Sequence, residues 1–541
     1  MIGYTPKLLT ALRGYSKEEF TKDIIAGVIV AIIALPLSIA LALASGVGPK
    51  EGLYTAIVAG FVIATFGGSR VQVSGPTAAF ATIVAGIVAT KGMDGLVVAT
   101  ILAGIILILM GVFKMGVLIK YIPYTIVTGF TAGIAITIVI GQVKDFLGLT
   151  FKNSPIESLD KVYEIILNLS TLKKESLGIG ILALIILIFW PKINERIPGS
   201  LVAVISTALI VKVLDLNINT IGSLYNVSAS LPTFKLPTVS INMITELLPS
   251  AFTIAILASI ESLLSCVVSD GMIGGKHDSN SELIGQGLGN IASGLFGGIP
   301  ATGAIARTAA NVKNGGRSPV AAMVHAIVLF LILVILMPYA ALIPMATIAA
   351  ILFIVAYNMS GWRECVGILK RAPKSDIAVF LMTFLLTIVF DLVIAIEVGL
   401  ILSSLLFMKR MVDETKVRRW TETEMDTENL RNIPKDILVY EIEGPMFFAA
   451  AETFLKILPD KNTRVIIIRM RSVGAIDISV MKVIKGFINK CKEDNIKIII
   501  SDIQSQPYRA LLKAGYVEKI GKDNFVPNIH SALEKAKKLY K

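Results

Sequence analysis

Long apolar runs separated by short polar turns dominate the first 410 residues. Ile24–Pro49 holds 26 consecutive residues without Lys, Arg, Asp or Glu, and Tyr121–Val143 holds 23. About 20 apolar residues cross a bilayer as a helix, so the pattern predicts an α-helical polytopic membrane protein. Fourteen candidate spans follow from it. Seven lie at 24–48, 53–69, 76–90, 95–113, 121–143, 176–191 and 197–211. After a polar connector over 212–246, seven more lie at 247–269, 283–298, 303–312, 320–337, 340–357, 376–390 and 392–408. The third and tenth each follow a Gly/Pro cluster, SGPT at 74–77 and PATG at 300–303. At about 1.5 Å per residue, a ten-residue helix covers only about half of the membrane core. Seven spans in each half, with an interrupted helix third in both, predict a 7+7 inverted repeat over 24–211 and 247–408. An odd number of crossings turns the second copy over.

Past residue 408 the pattern changes. Residues 409–434 read as a charged linker after the 24–408 membrane domain, and 1–23 as a polar N-terminal segment. Within 435–541, ILVYEIEG, RVIIIRM and IKIIISD read as strands. ISVMKVIKGFINKCKED, QPYRALLKAGY and NIHSALEKAKKLY read as helices. That alternation predicts a small α/β domain.

Composition supports the membrane reading: 54% of residues are hydrophobic, 17% are charged, and the mean hydropathy is +0.75. The net charge of +12 invites a nucleic-acid reading. Its placement argues otherwise. With the N-terminus inside, loop Lys and Arg number 18 on the inner side, including Lys120, Arg196 and Arg317, and 9 on the outer side. Positive loops face the cytoplasm, so both termini and the α/β domain are expected there, with the chain multi-pass in the cell (cytoplasmic) membrane among its lipids and no nucleic-acid partner. The first apolar run is too long for a cleaved signal. Cys266, Cys365 and Cys491 have no pairing or metal-binding spacing, and only three His are present. No metal site, cofactor or enzymatic constellation is expected.

Candidate chemistry lies at the interrupted helices. Arg307 stands in the PATGAIARTAAN stretch, inside an apolar span. A charge at mid-membrane costs roughly 3 kcal/mol on insertion scales, so it faces a cavity or a partner. A helix start exposes unpaired N–H groups and a partial positive charge. Arg307 beside such a start favours an anion, with Thr302 in the preceding turn. Thr77 stands at the mouth of the third span, which repeats the arrangement. The alternative is an Arg307 that snorkels to the inner surface. Glu261 lies inside the eighth span, with Ser265 and Ser269 one and two turns on along one face. An intramembrane carboxylate suits proton coupling; the alternative is a structural ion pair with Arg307. Asp391 and Glu397 lie nearer the membrane edge and read as structural, and His325 as a packing residue.

The stretches ALPLSIALALASGVGPKEGLYTAI, GGSRVQVSGPTAAFATIV, IPYTIVTGFTAGIAI and SELIGQGLGNIASGLFGGIPATGAIARTAANV, together with the C-terminal domain, resemble the sulfate permease (SulP) family of anion transporters. The C-terminal part resembles a STAS domain, with AIDIS as its acidic-loop motif. The resemblance implies a core domain and a gate domain, an anion between the third and tenth helices, and a homodimer. It implies a core site at Pro36, Leu37, Leu41, Thr77, Ala78, Ala306 and Arg307, with Glu261 as the acid of the eighth helix. Leu37 and Leu41 replace the Gln and the aromatic residue of many relatives, which makes the pocket more apolar. Relatives resembling a sodium–bicarbonate symporter carry Asp at the Glu261 position and hydroxyls at those of Ser265 and Ile305. Glu261 and Ile305 depart from that sodium set. Ser479 takes the place of a residue phosphorylated in soluble relatives, and Val480 that of the usual Gly.

The expected function is secondary active transport of a small inorganic or organic anion (sulfate, bicarbonate or a dicarboxylate) by proton symport. A sodium-coupled bicarbonate symporter, a passive anion channel or voltage-sensitive motor, and a signalling platform built on the STAS domain stand as alternatives.

Overall fold

A computed structural model describes residues 4–117, 123–390, 392–420 and 434–540, apart from 154, 156, 195–196, 226, 228, 238–239, 449–450, 452–456, 458 and 461. Asp391, Lys120, Arg196 and half of the charged linker, 421–433, lie outside the described residues. Residues 1–400 and 401–541 form two compact units.

The first unit is helical, and helical segments run along the expected apolar stretches. α1 (Lys17–Ala44) opens with a capping box between Ser16 and Glu19. A bent segment follows: α2 (Pro49–Tyr54), a π turn at Thr55–Ala59, and α3 (Gly60–Phe66). β1 (Ser74–Gly75) leads through a 3₁₀ turn, Ala78–Phe80, into α4 (Ala81–Val112). That element holds the third and fourth spans, parted by Gly92 at φ 68°. α5 (Tyr124–Leu147), the amphipathic α6 (Ser158–Leu167), α7 (Lys174–Ile193) and α8 (Gly199–Val213) complete the first half.

The second half comprises α9 (Ile241–Ile273), α10 (Ser279–Leu295), β2 (Thr302–Gly303), α11 (Ile305–Lys313), α12 (Pro319–Ala340), α13 (Met345–Met359), α14 (Trp362–Arg371), α15 (Lys374–Val389) and α16 (Leu392–Glu414). Seven described helices are long and apolar enough to cross a membrane on their own. The amphipathic α14 was not foreseen. Its basic residues and turn signals masked a helical stripe too short to register as a span.

Packing divides this unit into two bundles. α1, α3, α4, α9, α10, α11 and α12 pack on one another, and α5, α7, α8, α13 and α15 form the second set. α1 reaches across to α8 and α13. Within the first bundle, α4 and α10 approach very closely. A Cβ on Gly287 would stand 2.5 Å from the Gly104 carbonyl oxygen, and one on Gly104 would stand 2.6 Å from that of Gly287. Between helices in lipid, such small residues permit dispersion contacts that larger side chains prevent.

The second unit carries a five-stranded sheet of β3 (Lys416–Arg419), β4 (Ile437–Glu443), β5 (Val465–Ser472), β6 (Lys497–Ser501) and β7 (Phe525–Val526), in that order. β3 is antiparallel to β4, and the remaining pairs are parallel. α17 (Ile478–Glu493), α18 (Ser505–Lys513) and α19 (Ile529–Tyr540) were all legible as helices. Ile466, Ile468 and Ile498 face one apolar cluster, and Ile467 and Ile499 face another. Both faces of the sheet are therefore covered, as parallel strands require. The stretch read as a linker from residue 409 instead begins helical and supplies β3. Charged residues mark edge strands as well as linkers, which is why Lys416 and Arg418 disguised it.

Gly287→Val should drive α4 and α10 apart. We expect a loss of about 1–3 kcal/mol from overpacking, read as a lower unfolding temperature of the detergent-purified protein, with Ala292→Val on the same helix as the milder control.

Candidate functional site

The two interrupted helices meet head to head. Both Gly/Pro clusters leave the helical path as extended backbone, and the resulting strands pair antiparallel, Ser74 opposite Gly303 and Gly75 opposite Thr302. The Ala304 N–H donates to the Val73 carbonyl at 3.0 Å. Thr77 is extended, at φ −129° and ψ 161°, and caps the 3₁₀ turn that begins the α4 half-helix. Ala304 caps α11. The first-turn N–H groups of both helices, including those at Ala78 and Ala306, have no partner within their own helix. They converge from opposite halves of the chain.

Arg307, in the first turn of α11, is 1% exposed and stands first among the large, fully buried side chains. It does not snorkel. Its Nη2 donates to the Pro76 carbonyl at 2.7 Å, tying one interrupted helix to the other. Nε and Nη1 have no hydrogen-bond partner among the described residues. A Cβ on Gly75 would lie 2.3 Å from Nη1, so glycine is what lets the guanidinium lie against β1.

Glu261 forms no ion pair with Arg307. Its carboxylate accepts from the Thr77 hydroxyl at 2.8 Å. Both residues are half-buried, and Thr77 thereby connects the acid of α9 to the start of the α4 half-helix. Ser265, one turn on, donates to Thr308 Oγ1 at 3.3 Å, and Thr308 Oγ1 accepts the Val73 N–H at 3.0 Å. Ser269 donates to the Cys266 carbonyl on its own helix.

The other expected residues fall less directly on the gap. Thr302 is buried, and its hydroxyl is engaged by Ser262 at 2.7 Å and the Ala258 carbonyl at 3.0 Å, so it fastens β2 to α9. Ala306 is exposed, Leu37 is half-buried, and Leu41 is packed within the bundle. His325 is fully buried with neither ring nitrogen paired, and Glu397 is exposed on α16.

Sequence reasoning missed a row of four polar residues along α10. Glu282 accepts the N–H groups of Gly68 at 2.8 Å and Ser69 at 3.1 Å, and the amides of Gln72 at 2.6 Å and Gln286 at 2.8 Å. Gln286 also donates to Ser74 Oγ in β1 at 3.1 Å. Asn290 brackets Ala301, with Oδ1 accepting its N–H and Nδ2 donating to its carbonyl, both at 2.9 Å. Ser293 donates to the Ile299 carbonyl at 2.7 Å. These residues satisfy non-helical backbone in a setting where lipid offers nothing. Their spacing of four, four and three was readable in SELIGQGLGNIASG. It escaped notice because Glu282 lies just ahead of the span expected at 283–298, and Gln286, Asn290 and Ser293 stand among Gly, Leu and Ile residues.

The fold and site define a multi-pass membrane protein with a polar, positively charged centre between two interrupted helices. The sulfate permease family model matches residues 20–383, and the STAS domain model matches 430–536. YvdB of Bacillus subtilis (strain 168), which carries a sulfate-transporter name, is 40% identical over 95% of this chain and 97% of its own. The bicarbonate transporter BicA of Picosynechococcus is 32% identical over 80% of each chain. The BicA transmembrane domain superposes with a TM-score of 0.62 at 31% identity, covering 72% of this chain and 98% of that one. Murine Slc26a9 shares the fold, at a TM-score of 0.89 and 20% identity over 99% and 94% of the two chains. The chain therefore belongs to the sulfate permease family, a family of transporters, and ends in a STAS domain.

Asn290→Ala should strand both backbone groups of Ala301. Each orphaned buried group costs about 1–3 kcal/mol, so thermal unfolding should occur at a clearly lower temperature. Asn290→Asp keeps the Oδ1 acceptor and should fall between the two.

Proposed function

We propose that the protein is a secondary active transporter of a small anion, coupled to protons and working by alternating access. The observation that carries this is the buried guanidinium of Arg307, which keeps two unpartnered nitrogens at the meeting point of two helix starts. An anion fits there by chemistry. It accepts from Nε, Nη1 and the first-turn N–H groups near Thr77, Ala78 and Ala306, and the helix dipoles favour it. Leu37 and Leu41 add apolar wall.

Glu261 supplies the coupling. An ionised carboxylate hydrogen-bonded to Thr77 opposes the arrival of a second negative charge beside it. Protonation removes that opposition. By reciprocity, a bound anion favours the proton on Glu261 to the same degree. Proton and anion thus load together, and the substrate enters with its charge partly balanced. The positive-inside count supports a cytoplasmic location for both termini and the STAS domain, and the family resemblance supports a homodimer.

Likeness to YvdB supports sulfate as the anion, and likeness to BicA supports bicarbonate. The BicA likeness also favours a second reading, sodium-coupled bicarbonate uptake. Glu261 in place of Asp, and an Ile305 side chain without a ligand oxygen, count against it.

Uptake into proteoliposomes tests the coupling. An inward proton gradient should drive accumulation of labelled sulfate or bicarbonate by the parent protein. Glu261→Gln should abolish gradient-driven accumulation while retaining anion exchange. Unchanged accumulation by Glu261→Gln refutes the role of the acid, and accumulation that follows Na⁺ and ignores pH favours the second reading.

A further inference from the structure

A second cavity shares only Pro36 with the expected core site. It has a volume of about 430 Å³ and is lined by side chains of α1, α8 and α12 and by residues near them. Neither Arg307, Glu261 nor Thr77 lines it. Its floor includes Ile39, Leu53 and Met337, all fully packed, and its rim includes the exposed Leu209 and Tyr339. Lys212 is the one charged residue in the lining, and it stands in the last turn of α8.

We propose that this crevice is a lipid site. It holds one acyl chain of an anionic phospholipid, with the headgroup phosphate on the Lys212 ammonium. Four physical points support that occupant.

An apolar cavity does not retain water, and an empty one forfeits dispersion contacts along its whole wall. In a membrane the available filler is hydrocarbon. The lining also has the right depth. From Leu201 to Lys212 α8 rises about 16 Å, close to half of a roughly 30 Å membrane core. That is the reach of one leaflet. The single cation lies in the last turn of a 15-residue apolar helix, at the end where that leaflet's headgroups begin. Lastly, a lysine stem can lie along the apolar wall while its ammonium reaches the interface. A phosphate is the chemistry that meets it.

The site joins helices of both bundles, since α8 belongs to one and α1 and α12 to the other. It goes beyond the proposed anion pathway and does not depend on it.

Native mass spectrometry of the full-length protein, released from nanodiscs of three parts phosphatidylcholine to one part phosphatidylglycerol, tests the proposal. The parent protein should retain phosphatidylglycerol in preference to phosphatidylcholine. Ala208→Trp, which fills the crevice, should lose the retained lipid. Leu109→Trp, at an exposed position on α4 outside the crevice, should keep it. Lys212→Gln should still hold a chain but lower the preference for phosphatidylglycerol about fivefold, the equivalent of about 1 kcal/mol for one lysine at a lipid surface. Lys212→Gln leaves the packed floor untouched, so its result decides the matter even if Ala208→Trp fails to fold. An unaltered preference in Lys212→Gln overturns the proposal. So does equal lipid retention by Ala208→Trp and Leu109→Trp, or loss of a dimer in Ala208→Trp with no loss of lipid. That last result would assign the face to a second copy of the chain.

Discussion

Non-helical backbone cannot lie in hydrocarbon unless its N–H and C=O groups find partners inside the protein. This constraint shapes the membrane unit. Two stretches, around Ser74–Pro76 and Pro300–Ala304, leave the helix to bring two helix starts together. Everything they lose must be replaced. They replace part of it for each other through the β1–β2 pair. The side chains of α10 supply much of the rest, Asn290 by clasping both backbone groups of Ala301 and Glu282 by gathering four donors at the entrance to β1. A buried carboxylate with no cation among those contacts is tolerable because its charge is spread over four hydrogen bonds.

Arg307 benefits from the same scaffold. One of its nitrogens is spent on the Pro76 carbonyl, which fixes the guanidinium plane, and two remain unpaired. An ion pair with Glu261 would have consumed them. Instead Thr77 takes the acid, so the cation and the carboxylate meet the same gap without cancelling each other. In the proposed function these charges stay ready for an anion and a proton, and the cost of keeping them desolvated is borne by the packed helices around them.

Much of this was legible in the sequence, for identifiable reasons. Hydropathy revealed the long helices because crossing a bilayer demands apolar length. SGPT and PATG revealed the interruptions because only Gly and Pro punctuate so strongly. A lone Arg in an apolar span is costly enough to announce a site. The polar row on α10 was less visible, since Glu282 lies just ahead of the expected 283–298 span and its companions stand among Gly, Leu and Ile residues. The partners of Thr302 could not be foreseen, because whether a hydroxyl faces a ligand or the neighbouring helix depends on rotation about an axis that sequence does not fix. β3 hid among linker charges.

The central claim is that the Arg307 guanidinium binds the transported anion. Anion titration of purified Arg307→Gln, followed by thermal stabilisation with sulfate and with bicarbonate, addresses it most directly. Loss of two charge-assisted hydrogen bonds should weaken binding by at least about a hundredfold, while the unliganded variant still unfolds cooperatively. An affinity within a fewfold of the parent protein would contradict the account.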